Sequence, residues 1–240
     1  MCGRFVRYTD DDDLVRLLHA SYAPEESLPP SWNIAPTQQV RGVIDRPEAG
    51  RELRNFRWGL IPPWAKNPDG GARMINARAE TLLEKPAFRA AAVRRRLAIP
   101  MNGYYEWQPA GPVSRGKTPY YLRDPDAEVL LAAGLYEFWR DPRGGPDAPW
   151  LPSATIITRP APDALGHIHD RSPLLLPAEL LDEWLAPDLN TEAAIASFIA
   201  AVPAPTLTPL RVGTAVGNVR HNGPGLIVPD LIAPAPEASP

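Results

Sequence analysis

The chain has one cysteine, three lysines and no apolar run of bilayer-spanning length. A lone cysteine excludes an internal disulfide and a metal centre built on several thiolates. Lacking a ~20-residue apolar stretch and a basic-then-apolar opening segment, the sequence offers no membrane span or secretory leader, and the expected compartment is the cytoplasm. The excess is in proline, 31 of 240 residues, about 13% against a usual ~5%. Proline breaks helices and central strands, so a bundle of long helices is excluded and short strands, turns and irregular loops are expected. The net charge of −3 conceals a gradient. Residues 1–123 carry 19 Lys+Arg against 13 Asp+Glu, or +6, and residues 124–240 carry 6 against 15, or −9. The basic half leaves room for an anionic partner.

Apolar alternation predicts strands at 39–44, 53–60, 97–101, 104–108, 119–122, 129–136 and 154–158, with another around 210–216. Thr9 is expected to cap a helix whose first turn holds Asp10 to Asp13, where carboxylates suit the helix dipole; Tyr22-Ala23-Pro24 closes it. A helical patch over 79–94 breaks at Pro86. Pro177 precedes a helix over 178–185, and Asn190 or Thr191 caps another over 192–201, with Ile195, Phe198 and Ile199 facing the core. Residues 111–117 and 141–149 read as long hairpin loops. The expected fold class is α+β, one domain over 1–228 with an antiparallel, barrel-like sheet flanked by short helices, and an unstructured tail over 229–240.

Cys2 directly follows the initiator methionine. A small second residue allows Met1 to be removed, leaving an α-amine and a thiol on adjacent carbons. That amine, with an unperturbed pKa of roughly 7.7–8.0, is partly neutral near pH 7. It can form a Schiff base with an aldehyde, which the thiol then closes into a five-membered thiazolidine. The thiol could equally serve as an acyl-transfer nucleophile, or the residue as a buried structural cysteine; position alone leaves these open. Glu106, between Tyr105 and Trp107 on an expected strand, shares a face with Tyr104, where burial would lift its pKa toward that of a general acid or base. His167 and His169 sit at i, i+2, but no companion cluster completes a zinc site, so a single acid/base histidine is the simpler reading.

These residues fall within six segments in fixed order: Met-Cys-Gly-Arg-Phe at 1–5, Asn-Ile-Ala-Pro-Thr at 33–37, Arg-Trp-Gly-Leu-Ile-Pro-x-Trp at 57–64, Asn-Ala-Arg-x-Glu-Thr at 76–81, Gly-Tyr-Tyr-Glu-Trp at 103–107 and Ile-His-Asp-Arg-x-Pro at 168–173. Together they resemble the SRAP family (SOS response-associated peptidase), whose members shield abasic sites in single-stranded DNA. The resemblance runs from Cys2 to about Ile227, including Asn218-Val219-Arg220 and Asn222-Gly223-Pro224.

The resemblance implies that Cys2 is the nucleophile after Met1 is removed autoproteolytically, that Asn76 positions it, and that Glu106 moves protons during ring closure. It assigns His169, next to Asp170-Arg171, the acid/base role in Schiff-base formation and crosslink reversal. Arg4 and Arg78 would grip phosphates, Trp64 would wedge or stack beside the lesion, and Asn33 and Pro36 would line the cleft. The implied protein is a monomer acting on abasic single-stranded DNA, nucleoid-associated when bound, without cofactor, metal or membrane. Other readings are a cysteine peptidase or amidohydrolase using Cys2 and His169, and a non-covalent single-stranded-DNA-binding module. The sequence departs from the family pattern at Ser172, where methionine is usual, at 159–162, and at Met101-Asn102.

Overall fold

The computed structural model describes residues 2–22, 27–110 and 116–230. Five strands close a barrel: Gln39–Arg46, Gly50–Trp58, Trp150–Pro160, Leu130–Arg140 and Arg96–Met101. Four of its seams are antiparallel; the fifth is a short parallel pairing of Ser153 with Arg57 and Ala154 with Trp58. Closure by full pairing leaves these strands no open edge. A second, antiparallel sheet orders Thr208–Arg211, Thr118–Arg123, Gly103–Gln108, Phe5–Arg7 and Ser31–Ile34. The α+β class and the barrel-like core match the expectation from sequence.

The two sheets join at a corner, Asn102-Gly103. Gly103 has φ +153°, and a Cβ there would meet the Tyr121 ring at 2.5 Å and the Leu122 carbonyl at 2.6 Å. Asn102 pins the corner: its Oδ1 accepts from the Tyr8 and Thr9 amides, and its Nδ2 donates to Thr9 Oγ1 at 2.6 Å and the Glu128 carbonyl. With Thr9 so engaged, the cap of the Asp11–Leu18 helix passes to Asp10, whose side chain accepts from the Asp13 amide at 2.8 Å. The helix ends at Leu18, with His19 in the left-handed region. Asp11 pairs with the fully buried Arg41, so part of the acidic run neutralises a buried cation.

Short helices cover one side of the barrel. Trp184, fully buried on Leu181–Leu185, donates its indole N–H to the Leu97 carbonyl at 2.9 Å and stacks on Phe198 of Glu192–Ala201. Trp184→Ala should lower stability by about 3–5 kcal/mol through the cavity it leaves, read as a fall in the urea midpoint.

The run Arg94-Arg95-Arg96 is taken up within the fold at its last two positions. Arg96 is buried and directs its donors to the carbonyls of Ala92, Val93, Trp184 and Ala186, while Arg95 pairs with Glu137 at 2.6 Å. Arg96 closes the Pro86–Arg94 helix end, because orphan carbonyls at a helix C-terminus attract cations. Thr191 caps the Glu192–Ala201 helix. At the C-terminal end, Pro229 bridges to Val212 and the Asp230 amide donates to the Arg211 carbonyl, so 229 and 230 are tied to the domain. The rest of the expected tail lies outside the described residues, as do Ala23, Pro24 and most of the 111–117 loop.

Candidate active site

Cys2 is fully buried where the two sheets meet, among residues that include Phe5, Trp58 and Tyr104. Its backbone carbonyl accepts from Asn76 Nδ2 at 2.8 Å. Asn76 is brought there by the strand Asn76–Arg78, which pairs in parallel with 156–158 of the barrel. The other side-chain atom of Asn76, Oδ1, is buried and has no hydrogen-bond partner among the described residues. A buried acceptor left unpaired costs about 1–3 kcal/mol.

Glu106 faces the same space. On Gly103–Gln108 it alternates as expected, with Tyr104 on its side and Tyr105 on the other, where Tyr105 donates its hydroxyl proton to the Trp32 carbonyl. It is 3% exposed, as the acid/base reading requires. Burial pushes its pKa up to about 7. Burial, and then the Glu106 charge, hold the Cys2 thiol well above its ordinary value.

His169 places Nε2 4.0 Å from Glu106 Oε2, outside direct hydrogen-bond distance. Its Nδ1 accepts from the Arg171 amide at 3.0 Å and lies 2.8 Å from Asp170 Oδ1. Burial lowers the His169 pKa, which favours the neutral ring. His167 is exposed; its backbone N–H donates to the Leu165 carbonyl and its own carbonyl accepts from Gln108.

The residues expected to touch DNA separate into two groups. The Arg78 side chain is exposed with no hydrogen-bond partner among the described residues, and Trp64 is 61% exposed. Arg4 and Asn33 are instead engaged with the fold: Arg4 Nη1 donates to Asn33 Oδ1 at 2.7 Å and the Val216 carbonyl at 2.9 Å. Asn33 Nδ2 donates to the carbonyls of Val216, Asn218 and His221. These bonds fasten the 216–221 segment, and because Arg4 meets only neutral acceptors among the described residues, none of them cancels its charge. Pro36 is half-buried.

Sequence reasoning assigned no role to several neighbours. Arg171 forms a two-pronged ion pair with Glu80 and donates to the Thr158 carbonyl, tying the His169 segment to the Asn76 strand. Tyr104 and Ser172 hydroxyls lie 3.3 Å apart, joining the Glu106 strand to the same segment. Trp139 donates its indole N–H to the Ala65 carbonyl at 2.8 Å, and Ser153 Oγ accepts from the Ile61 amide at 2.9 Å, so the loop bearing Trp64 is held at both ends. Glu80 and Arg171 stood inside recognised motifs, but 91 positions apart nothing in the sequence marks them as partners.

The family described as "SOS response associated peptidase (SRAP)" matches residues 1–219. The chain belongs to the SRAP family. It is 38% identical over 228 residues to the abasic site processing protein YoqW of Bacillus subtilis, covering 95% of this chain and 99% of that one. It is 30% identical to the abasic site processing protein YedK of Escherichia coli, covering 95% and 100%. A crystal structure of a protein from Bacteroides thetaiotaomicron superposes with a TM-score of 0.82 at 23% identity, over 96% of this chain and all of that one, a likeness of fold. Among the described residues, no helix is long and apolar enough to cross a membrane.

Proposed function

We propose that this protein binds single-stranded DNA and joins Cys2, freed of Met1, to the aldehyde of an abasic site as a thiazolidine. The observation that carries this reading is the meeting of Cys2, Asn76, Glu106 and His169, drawn from four distant segments, in one largely water-excluded space. The α-amine nitrogen adds to the aldehyde carbon of the ring-opened sugar, and loss of one water gives an imine. The thiol sulfur then attacks the imine carbon, and the thiol proton passes to the nitrogen. One C–N and one C–S bond form, and one water leaves.

Each residue has a place in this sequence. Asn76 fixes the Cys2 carbonyl, and its unpaired Oδ1 is an acceptor for the amine or a sugar hydroxyl. Glu106, titrating near 7, can take the thiol proton and return it. His169, with Nε2 4.0 Å from Glu106 Oε2, passes a proton to the departing hydroxyl of the carbinolamine. The test is intact-mass measurement after mixing the protein with single-stranded abasic DNA. The expected species is the protein without Met1 plus the oligonucleotide, less one water. An unmodified protein that retains Met1 would refute the reading.

The thiol's raised pKa favours this reading over a cysteine peptidase. A peptidase starts from a thiolate stabilised by a neighbouring cation, whereas Cys2 is held protonated beside a carboxylate. Here the amine starts the reaction and the thiol acts second.

Phosphate contacts make binding salt-dependent, with log affinity falling about 0.7 per contact for each tenfold rise in salt on single strands. Arg78→Ala should weaken binding and reduce that slope by about 0.7, measured by anisotropy across a salt series. An unchanged slope would remove Arg78 from the phosphate contacts.

A further inference from the structure

Of the seven tryptophans, only Trp64 and Trp150 are exposed, at 61% and 56%. Trp150 does not hang free. It pairs across the hairpin with Arg140, whose guanidinium lies over the indole ring, 4.3 Å from its centroid. Arg140 is itself fixed, donating to the Pro146 carbonyl at 2.7 Å. The cation covers one ring face, while more than half of the side chain's surface stays open. A rigid, electron-rich ring braced from behind is a stacking surface in want of a planar partner.

The strand Trp150–Pro160 acts as a ruler relating this ring to the candidate active site. Arg78 registers beside Thr158 and Asn76 beside Ile156. The Trp64 loop attaches next, through the Gly59 amide to the Ala154 carbonyl and the Ile61 amide to Ser153 Oγ. Trp150 begins the strand, six residues before Ile156, or roughly 20 Å at the rise of an extended chain. Phosphate-gripping arginine, nucleophile clamp, first exposed tryptophan and second exposed tryptophan thus follow one another in order along a single strand.

We propose that Trp150, braced by Arg140, is a second nucleobase-stacking platform, engaging single-stranded DNA several nucleotides from the lesion held at Cys2. The inference rests on the single-stranded-DNA reading above but not on the chemistry at Cys2. Stacking takes any base, so the platform extends the binding track without adding sequence preference.

The test uses fluorescence anisotropy with labelled oligonucleotides carrying one central tetrahydrofuran, a non-reactive abasic analogue. Trp150→Ala should weaken binding about tenfold when both flanks carry bases, the scale of one lost base stack. Trp150→Phe should restore most of it. Stripping the bases from the outer nucleotides of one flank should weaken the wild type by the same factor and leave Trp150→Ala unaffected. Equal binding by wild type and Trp150→Ala to the fully based strand overturns the proposal. So does a loss that persists when the outer nucleotides of both flanks lack bases, since the contact is then not to a base. Crosslinking of the wild type to a true abasic oligonucleotide, read on a denaturing gel, reports separately on Cys2. If that crosslink is absent while the anisotropy pattern holds, the thiazolidine reading fails and the platform stands.

Discussion

Cys2→Ala should abolish the detergent- and heat-stable crosslink to abasic single-stranded DNA. The variant keeps an α-amine once Met1 is removed, so it can still form the imine. It has no sulfur to close the ring, and the imine hydrolyses when the complex is denatured. Borohydride added before denaturation should therefore recover a crosslink with the variant, while the wild type needs no reductant. This pairing separates loss of chemistry from loss of binding. The fold should tolerate the change, because Cys2 is fully buried and its truncation removes one sulfur atom, a loss of about 1 kcal/mol at such a site. A stable crosslink formed by Cys2→Ala without reductant would sink the mechanism, since no other cysteine exists to supply a thiol.

Much of this site was legible in the sequence, and the reason is local. Cys2 is informative through its position, Glu106 through the period-2 alternation of Gly103–Gln108, and His169 through its neighbours Asp170 and Arg171. What stayed hidden depends on pairings between distant segments. The parallel seams of Trp150–Pro160 with Gly50–Trp58 and Asn76–Arg78 leave no mark on either partner, yet they deliver Asn76 to Cys2 and order the exposed tryptophans. Charge misled for the same reason. The basic first half of the chain contains Arg41 and Arg96, both buried and satisfied internally, so a count by halves says little about the charge that faces a ligand. Arg4 and Asn33 are the intermediate case. Their motifs marked them, but their bonds to the 216–221 segment required the fold.

Glu106→Gln should slow crosslink formation about a hundredfold or more, the usual worth of a positioned acid/base group. With Glu106 titrating near 7, the wild-type rate should climb through that pH as the carboxylate becomes able to accept the thiol proton. The variant should keep only the later rise due to the α-amine, near roughly 8. Stability should move the opposite way. A carboxyl whose pKa is raised on folding makes the native state bind more protons than the unfolded chain between about 4.5 and about 7. Wild-type stability should therefore fall as pH rises through that window, by on the order of 3 kcal/mol, and Glu106→Gln should remove the fall. The variant would then be slower yet more stable at pH 8, the signature of a buried charge kept for chemistry. Rates from quenched gel time courses and urea midpoints across the same buffers test both halves. A variant both slower and less stable at pH 8 would mean that Glu106 is structural, and the proton would then have to move through His169.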